Sequence, residues 1–393
     1  MSTRRVQSAT VRTPREVLDL LPLLRAALNG SGPALAPGGH AQPPLRPGED
    51  DPDDPTALVL ATSGSSGPAK HVLLPSSALL ASASATHDRL GGPGRWLLAL
   101  PARHVAGLQV LVRSLVTGTP PTVLDLDGGF DPAAFAAAAA GTGRPAGSDR
   151  RYTSLVPTQL GRLLDAGGAP LAALAGFDAV LVGGATTPAP LRERAQGAGV
   201  RLVTTYGMSE TAGGCVYDGM PLDGVRAAVE PGGRVLLAGP VLARGHRGAG
   251  GLDAAAFTVD GEGRRWLRTD DEGRLDGDLL TVTGRLDDVI VTGGLKVSPG
   301  AVQAALLDLP GVMEAVVVGV DDPEWGSRVV AAVVPRAGTP PDDLPTLDRV
   351  RRAVAARLGA HAAPRQLLLL AEIPLRGPGK PDLAAVRAIA AGR

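Results

Sequence analysis

The chain reads as an α/β protein, with a large N-terminal unit of parallel sheets and helices plus a β-rich subdomain, and a small C-terminal α/β unit. Three observations predict this. Short apolar runs at 57–61, 96–100, 122–126, 152–156, 178–182 and 200–204 alternate with helix-like segments, as strand–helix units of a mostly parallel sheet do. From 225 to 283 the helical patterns stop, and runs such as Val235-Leu236-Leu237-Ala238 and Leu279-Leu280-Thr281-Val282-Thr283 are punctuated by Gly and Asp. A compact alternation of helices and strands resumes after 287. With 393 residues, two to three domains are expected, and we divide the chain into 1–286 and 287–393.

Residues 14–28 place apolar side chains at helical spacing, with Pro22 expected to break the helix. The Gly/Pro/Asp-rich stretch 30–55 reads as an irregular connection. The strand at 57–61 leads into Thr62-Ser63-Gly64-Ser65-Ser66-Gly67-Pro68-Ala69-Lys70, after which Ser76 is expected to N-cap a helix over 77–90. The strand at 96–100 continues through Pro101-Ala102-Arg103-His104-Val105-Ala106-Gly107 into a helix carrying Gln109 and Arg113. Helices at 132–140, 157–166 and 189–198 separate the later strands. Ligands of parallel sheets sit beyond the carboxyl ends of strands. His104, Gly183-Gly184-Ala185 and Thr205-Tyr206-Gly207 fall there. Gly284-Arg285-Leu286-Asp287-Asp288 reads as a boundary turn. Ser298-Pro299 then starts a helix to Asp308. Strands at 312–320 and 328–334, a helix at 346–358 and a strand at 365–370 follow, and Arg376-Gly377-Pro378-Gly379-Lys380 precedes a short last helix.

Composition narrows the function. Lys+Arg and Asp+Glu are 39 each and aromatics are 3%, so neither a positive field nor a supply of stacking rings favours nucleic acid. The single Cys215 excludes an intramolecular disulfide framework and fits a reducing cytosol, so a cytoplasmic location is expected. Six scattered histidines show no zinc-ligand spacing. No signal-peptide pattern follows Arg5, and no apolar run reaches the roughly 18 residues of a membrane span. Membrane insertion is not expected, and a homodimer is compatible with the sequence.

The loop at 62–70 carries the first chemistry. Hydroxyls, glycine N–H groups and Lys70 can converge on an anion, although a plain Gly/Ser surface loop is the competing reading. It is not a Walker loop, because the Gly-Lys-Ser/Thr ending is missing.

Four further motifs stand downstream in order. They are Thr205-Tyr206-Gly207-Met208-Ser209-Glu210-Thr211, Thr269-Asp270-Asp271-Glu272-Gly273, Gly284-Arg285-Leu286-Asp287-Asp288 with Gly293-Gly294-Leu295-Lys296, and Gly379-Lys380. Together with the loop they resemble the adenylate-forming ligases, the superfamily of acyl-CoA synthetases, luciferases and peptide-synthetase adenylation domains. The resemblance implies a carboxylate activated by ATP as an acyl-adenylate and then transferred to the thiol of CoA. It implies that Thr62, Ser63, Gly64, Ser65, Ser66, Gly67 and Lys70 hold the phosphates and that Glu210 holds Mg²⁺. It puts Gly183, Gly184, Ala185, Thr205, Tyr206 and Gly207 along the adenosine and Asp271 and Arg285 on the ribose. Lys380 then serves adenylation, Lys296 thioester formation, and Asp287 the hinge between two domain orientations. Asp270 stands where the family has Gly, which leaves open which Asp meets the ribose; alignment selects Asp271. Ala69 replaces the family's Pro, and Ser209 replaces its Thr.

Leu100-Pro101-Ala102-Arg103-His104-Val105-Ala106-Gly107 with Arg113 resembles one branch of that family, the o-succinylbenzoate–CoA ligases of menaquinone biosynthesis. The likeness implies that His104, Met208 and Ser209 line the acyl site and that Arg113 faces an aromatic dicarboxylate. Gly213-Gly214-Cys215-Val216-Tyr217-Asp218-Gly219 resembles the wall of that pocket. Another aryl- or acyl-CoA ligase, or a stand-alone adenylation domain loading a carrier protein, are the rival readings.

Overall fold

The fold is described by a computed structural model covering residues 4–39, 42–62, 70–143, 150–248, 251–336, 338–377 and 380–392. At the centre of the N-terminal part lies a seven-stranded sheet. Its spatial order is Met220–Pro221, Gly213–Tyr217, Leu202–Met208, Ala179–Val182, Arg150–Leu155, Gly94–Leu98 and Thr122–Val123. The last five of these are parallel. Trp96 and Leu98 point into a core shared with helices Ser76–Arg89 and Val105–Thr117, whereas Leu97 points into another shared with Pro132–Gly141, Pro157–Ala166, Gly168–Ala175 and Ala189–Gly197. Successive side chains alternate faces, and both faces are covered, so the strands must be apolar throughout. That is why they read as continuous hydrophobic runs.

A second sheet joins Val6–Ala9, Ala34–Pro37, Thr56–Thr62, Lys70–Pro75, Gly245–Gly248 and Gly251–Asp253. A third, antiparallel, holds Arg226–Val229, Arg234–Ala238, Arg265–Asp276 and Phe257–Val259, with Leu279–Arg285 paired to Arg265–Asp276. The C-terminal part starts with the hairpin Ile290–Thr292 and Leu295–Val297. The three-stranded sheet Val312–Asp322, Gly326–Pro335 and Gln366–Leu369 follows. Ala315 and Val317 pack toward helices Pro299–Leu307 and Leu347–Leu358, while Val316 and Val318 pack toward Leu383–Ala390. These cores draw on residues from Ile290 onward, and those of the preceding part draw on none beyond Val282.

Ser298 N-caps its helix, accepting from the Ala301 N–H, with Pro299 in the first turn, as expected. Pro22 does not break its helix, which runs Pro14–Leu28 from a capping box of Thr13 and Glu16. The carbonyl that Pro22 cannot pair with belongs to Leu18, an exposed residue, while Val17, Leu20 and Leu24 are buried, so the missing bond falls away from the core. The stretch 30–55 contains the strand Ala34–Pro37, whose four residues are all buried. Ser76 is the first helical residue and not the cap; its hydroxyl donates to the Leu28 carbonyl at 2.6 Å, and Asp54 accepts from the Ser77 N–H instead.

Candidate active site

The strand ending at Thr62 turns back into the strand beginning at Lys70, with Thr62 paired opposite Lys70. The Thr62 hydroxyl donates to the Lys70 carbonyl at 3.2 Å. The loop is therefore a hairpin connection, not a strand-to-helix turn. Ser63, Gly64, Ser65, Ser66 and Gly67 lie outside the described residues, and Lys70 is exposed at the strand start.

Gly183 follows directly on the Ala179–Val182 strand, and a Cβ there would stand 2.3 Å from Thr205 Oγ1. Only glycine lets the two segments approach so closely. Gly184 is left-handed at φ 81°. Thr205, Tyr206 and Gly207 lie inside the Leu202–Met208 strand, not beyond it, because Gly213–Tyr217 extends its pairing. The Tyr206 hydroxyl donates to Asp271 Oδ2 at 2.7 Å, and Arg285 Nη1 reaches Asp271 Oδ1 at 3.3 Å. Arg285 also binds Asp287 through Nε and Nη2 at 2.8 and 2.7 Å.

Strand alternation separates the two adjacent acids. Asp271 is buried and faces Tyr206, opposite Arg285 in the register; Asp270 is exposed and meets Arg234 at 3.2 Å. Burial pushes the Asp271 carboxyl up, and the Tyr206 hydrogen bond and Arg285 charge oppose it. Burial, then the neighbouring Asp271 charge, raises the Tyr206 phenol, so Tyr206 remains a donor.

Glu210 sits on the short turn Ser209–Thr211, which Thr211 ties down by accepting from the Met208 N–H at 2.9 Å. Its Oε1 is 2.9 Å from Nε2 of the buried His246. Among the described residues no three His, Cys, Asp or Glu side chains gather as a metal cage. A single half-buried carboxylate fits a hard cation that takes its remaining oxygens from phosphate and water.

The acyl side is built on the Val105–Thr117 helix. His104 is its N-cap residue and is exposed. Gln109 is buried and donates to the Ala212 carbonyl at 2.8 Å. Arg113 is 4% exposed, and its Nη2 donates to Thr86 Oγ1 at 3.1 Å and to the Tyr217 oxygen at 3.3 Å. Its guanidinium carbon stands 4.9 Å from the centre of the Trp96 ring, and Nε has no acceptor. No described carboxylate forms an ion pair with it, and burial pushes its pKa down. Burial first, and the Arg113 charge second, bring His87 down to about 4, leaving a neutral imidazole that accepts from Trp96 Nε1 at 3.3 Å.

In the C-terminal part Lys296 is exposed on its hairpin. Lys380 begins a two-residue strand with Pro381; its side chain is outside what the structure describes. Pro381 and Leu375 line an inter-lobe cleft of about 330 Å³ with Ala185, Thr186, Arg162 and Glu314. The structure therefore brings together Gly183 with Thr205, and Tyr206 with Asp271, Arg285 and Asp287. It leaves His104, Lys70 and Lys296 exposed. His246, Thr86 and Trp96 escaped the sequence reading as site residues, and Tyr217 entered it only within the pocket-wall motif, since partners 36 and 131 residues apart leave no spacing signal.

The family profile described as AMP-binding enzyme matches residues 4–241, and that described as AMP-binding enzyme C-terminal domain matches residues 301–380. The chain is 49% identical over 374 residues to a protein of Mycobacterium tuberculosis named "Probable 2-succinylbenzoate--CoA ligase", covering 93% of this chain and 94% of that one. It is 34% identical to the sulfoacetate–CoA ligase of Cupriavidus necator, covering 92% of this chain and 72% of the relative. In fold it resembles the Bacillus subtilis o-succinylbenzoate CoA synthetase in complex with its acyl-adenylate, at TM-score 0.73, 21% identity and coverage of 98% and 88%.

Proposed function

Starting from the fact that this chain belongs to the AMP-binding enzyme family, we propose that it is an ATP-dependent 2-succinylbenzoate–CoA ligase of menaquinone biosynthesis. Its products are the CoA thioester, AMP and pyrophosphate, formed through an acyl-adenylate. The observation that carries the substrate choice is Arg113. A buried guanidinium with hydroxyls and an aromatic ring around it, and no carboxylate, suits a ligand that brings its own. A diacid leaves one carboxylate for activation and one for Arg113. A fatty acid has no such second charge.

In the first step the substrate carboxylate attacks the α-phosphate of ATP, and two anions must be brought together. The 62–70 loop, with Thr62 and Lys70 at its ends, would hold the outer phosphates. Glu210, steadied by His246, would bind a Mg²⁺ shared with those phosphates, which offsets their charge. Gly183, Gly184, Ala185 and Thr205 would line the adenine, with Tyr206 against the ring. Asp271 and Arg285 would take the ribose hydroxyls. Lys380, on the strand next to the Ala185 cleft, would orient the carboxylate against the phosphate. In the second step the CoA thiol expels AMP. Rotation of 287–393 about Asp287 would withdraw Lys380 and bring Lys296 forward, with His104 beside the acyl carbon.

The test is pyrophosphate release with ATP, Mg²⁺, CoA and a panel of 2-succinylbenzoate, benzoate, salicylate, octanoate and sulfoacetate. Turnover on 2-succinylbenzoate with its CoA ester seen by mass is expected. Preference for a monoacid or for sulfoacetate would move the enzyme to another substrate, and release without a CoA ester would point to a carrier-protein acceptor.

A further inference from the structure

Four side chains from three separate segments surround Arg113, Thr86 and His87 from one helix and Trp96 and Tyr217 from two strands, and their hydrogen bonds can be assigned without ambiguity. Thr86 Oγ1 lies 2.8 Å from the Ser82 carbonyl, which can only accept, so the Thr86 proton is committed there. The Tyr217 hydroxyl, 2.9 Å from Thr86 Oγ1, must then donate to it. Both oxygens are thereby left with lone pairs turned to Arg113, and Nη2 donates to each, at 3.1 and 3.3 Å. The Trp96 ring closes one side of the guanidinium, and His87 holds the Trp96 N–H. Thr86, Trp96 and Tyr217 are all buried.

The network also reaches the nucleotide side. A Cβ on Gly214 would lie 3.2 Å from both Thr205 Cβ and Tyr217 Cε1, and Thr205 in turn touches the Gly183 position. Packing therefore runs from Gly183 through Thr205, Gly214 and Tyr217 to Arg113.

From this we infer that Tyr217 and Thr86 are positioning residues for substrate selection: their paired hydroxyls fix the Arg113 guanidinium so that it recognises the second carboxylate of a diacid. The inference rests on the reading of Arg113 given above. A long side chain has rotamer freedom to lose, and two acceptors on one nitrogen with a ring alongside hold the guanidinium in one orientation. Among the described residues the buried Nε has no acceptor, and a carboxylate oxygen would supply one.

The experiment compares kcat/KM for 2-succinylbenzoate with that for two monoacids, 4-oxo-4-phenylbutanoate and 2-butanoylbenzoate, each lacking one carboxylate. The monoacid that turns over is the reference. Tyr217→Phe and Thr86→Val should each lower the diacid-to-monoacid ratio roughly tenfold, mainly through KM for the diacid, the loss expected for one hydrogen bond to a charged group. Thr86→Ser restores the hydroxyl and should keep the ratio within about twofold of the wild type. Arg113→Ala is the control. If it collapses the ratio while Tyr217→Phe and Thr86→Val keep it, the positioning role is wrong and the Arg113 reading stands. If the ratio survives Arg113→Ala as well, the reading of Arg113 falls, and this inference falls with it.

Discussion

Arg113 and Arg285 carry the same guanidinium into opposite surroundings. Arg285 is half-exposed and lies within 4 Å of Asp270, Asp271, Asp287 and Asp288. Hydrogen bonds to Asp287 raise its pKa above the ordinary value. Arg113 is buried among Thr86, Tyr217, Trp96 and a neutral His87, and desolvation lowers its pKa. The first charge is satisfied by its own chain, and its arrangement describes how strand Leu279–Arg285 is held to the acids around it. The second is not satisfied, and an uncompensated buried charge costs several kcal/mol. A fold that retains such a charge does so at the expense of stability, as the carboxylate recognition proposed for Arg113 would require.

The largest effect should come from removing that charge while keeping its volume. Arg113→Met is expected to lower kcat/KM for the diacid by roughly a hundredfold or more and to raise Tm by a few degrees, read by steady-state kinetics and thermal melts. A lower Tm would mean that the Arg113 charge is compensated within the fold as that of Arg285 is, and the contrast would vanish.

Next in size is a pH effect. His87 is held at about 4 in the folded protein against 6.5 when free. Between those values the unfolded chain binds a proton that the folded chain refuses, so stability is full above pH 6.5 and is lost as pH falls toward 4. The shift corresponds to about 3 kcal/mol. Denaturant titrations of wild type and His87→Gln across pH 4–7 should show this slope and its loss. Equal slopes would mean that neither burial nor the Arg113 charge holds the His87 imidazole down.

The smallest effect sharpens the other side of the comparison. Asp271→Asn should weaken ATP binding by about tenfold, as expected for one charge-assisted bond, while Asp270→Asn should change it by less than about twofold. Isothermal titration with ATP decides; the reverse order would exchange the roles of the two acids.

Much of the candidate site could be named from the sequence because its motifs are local. Tyr206 with Glu210 and Arg285 with Asp287 lie a few residues apart, and so do His104 and Arg113 along one helix. Glycines announced the close approaches at Gly183 and the turns. The double-faced strands announced themselves by apolar runs, as at Trp96-Leu97-Leu98. Other elements were illegible for stated reasons. Lys70–Pro75 was missed because a loop-to-helix reading left it no role, and its strand character depends on pairing with Thr56–Thr62. Pro22 misled because propensity knows nothing of which face of a helix water reaches.

The order of motifs, the alternation of elements and the identity of the cation at 113 belong to the sequence alone, since each is written in neighbouring residues or in fixed spacings. Which of Asp270 and Asp271 turns inward was decided by the register of Arg265–Asp276 against Leu279–Arg285. That Glu210 meets His246, and that Thr86 and Tyr217 meet Arg113, was decided by packing of segments far apart in the chain. Such contacts depend on burial, and burial is a property of the assembled fold, in which a side chain's partners and its dielectric surroundings are set together.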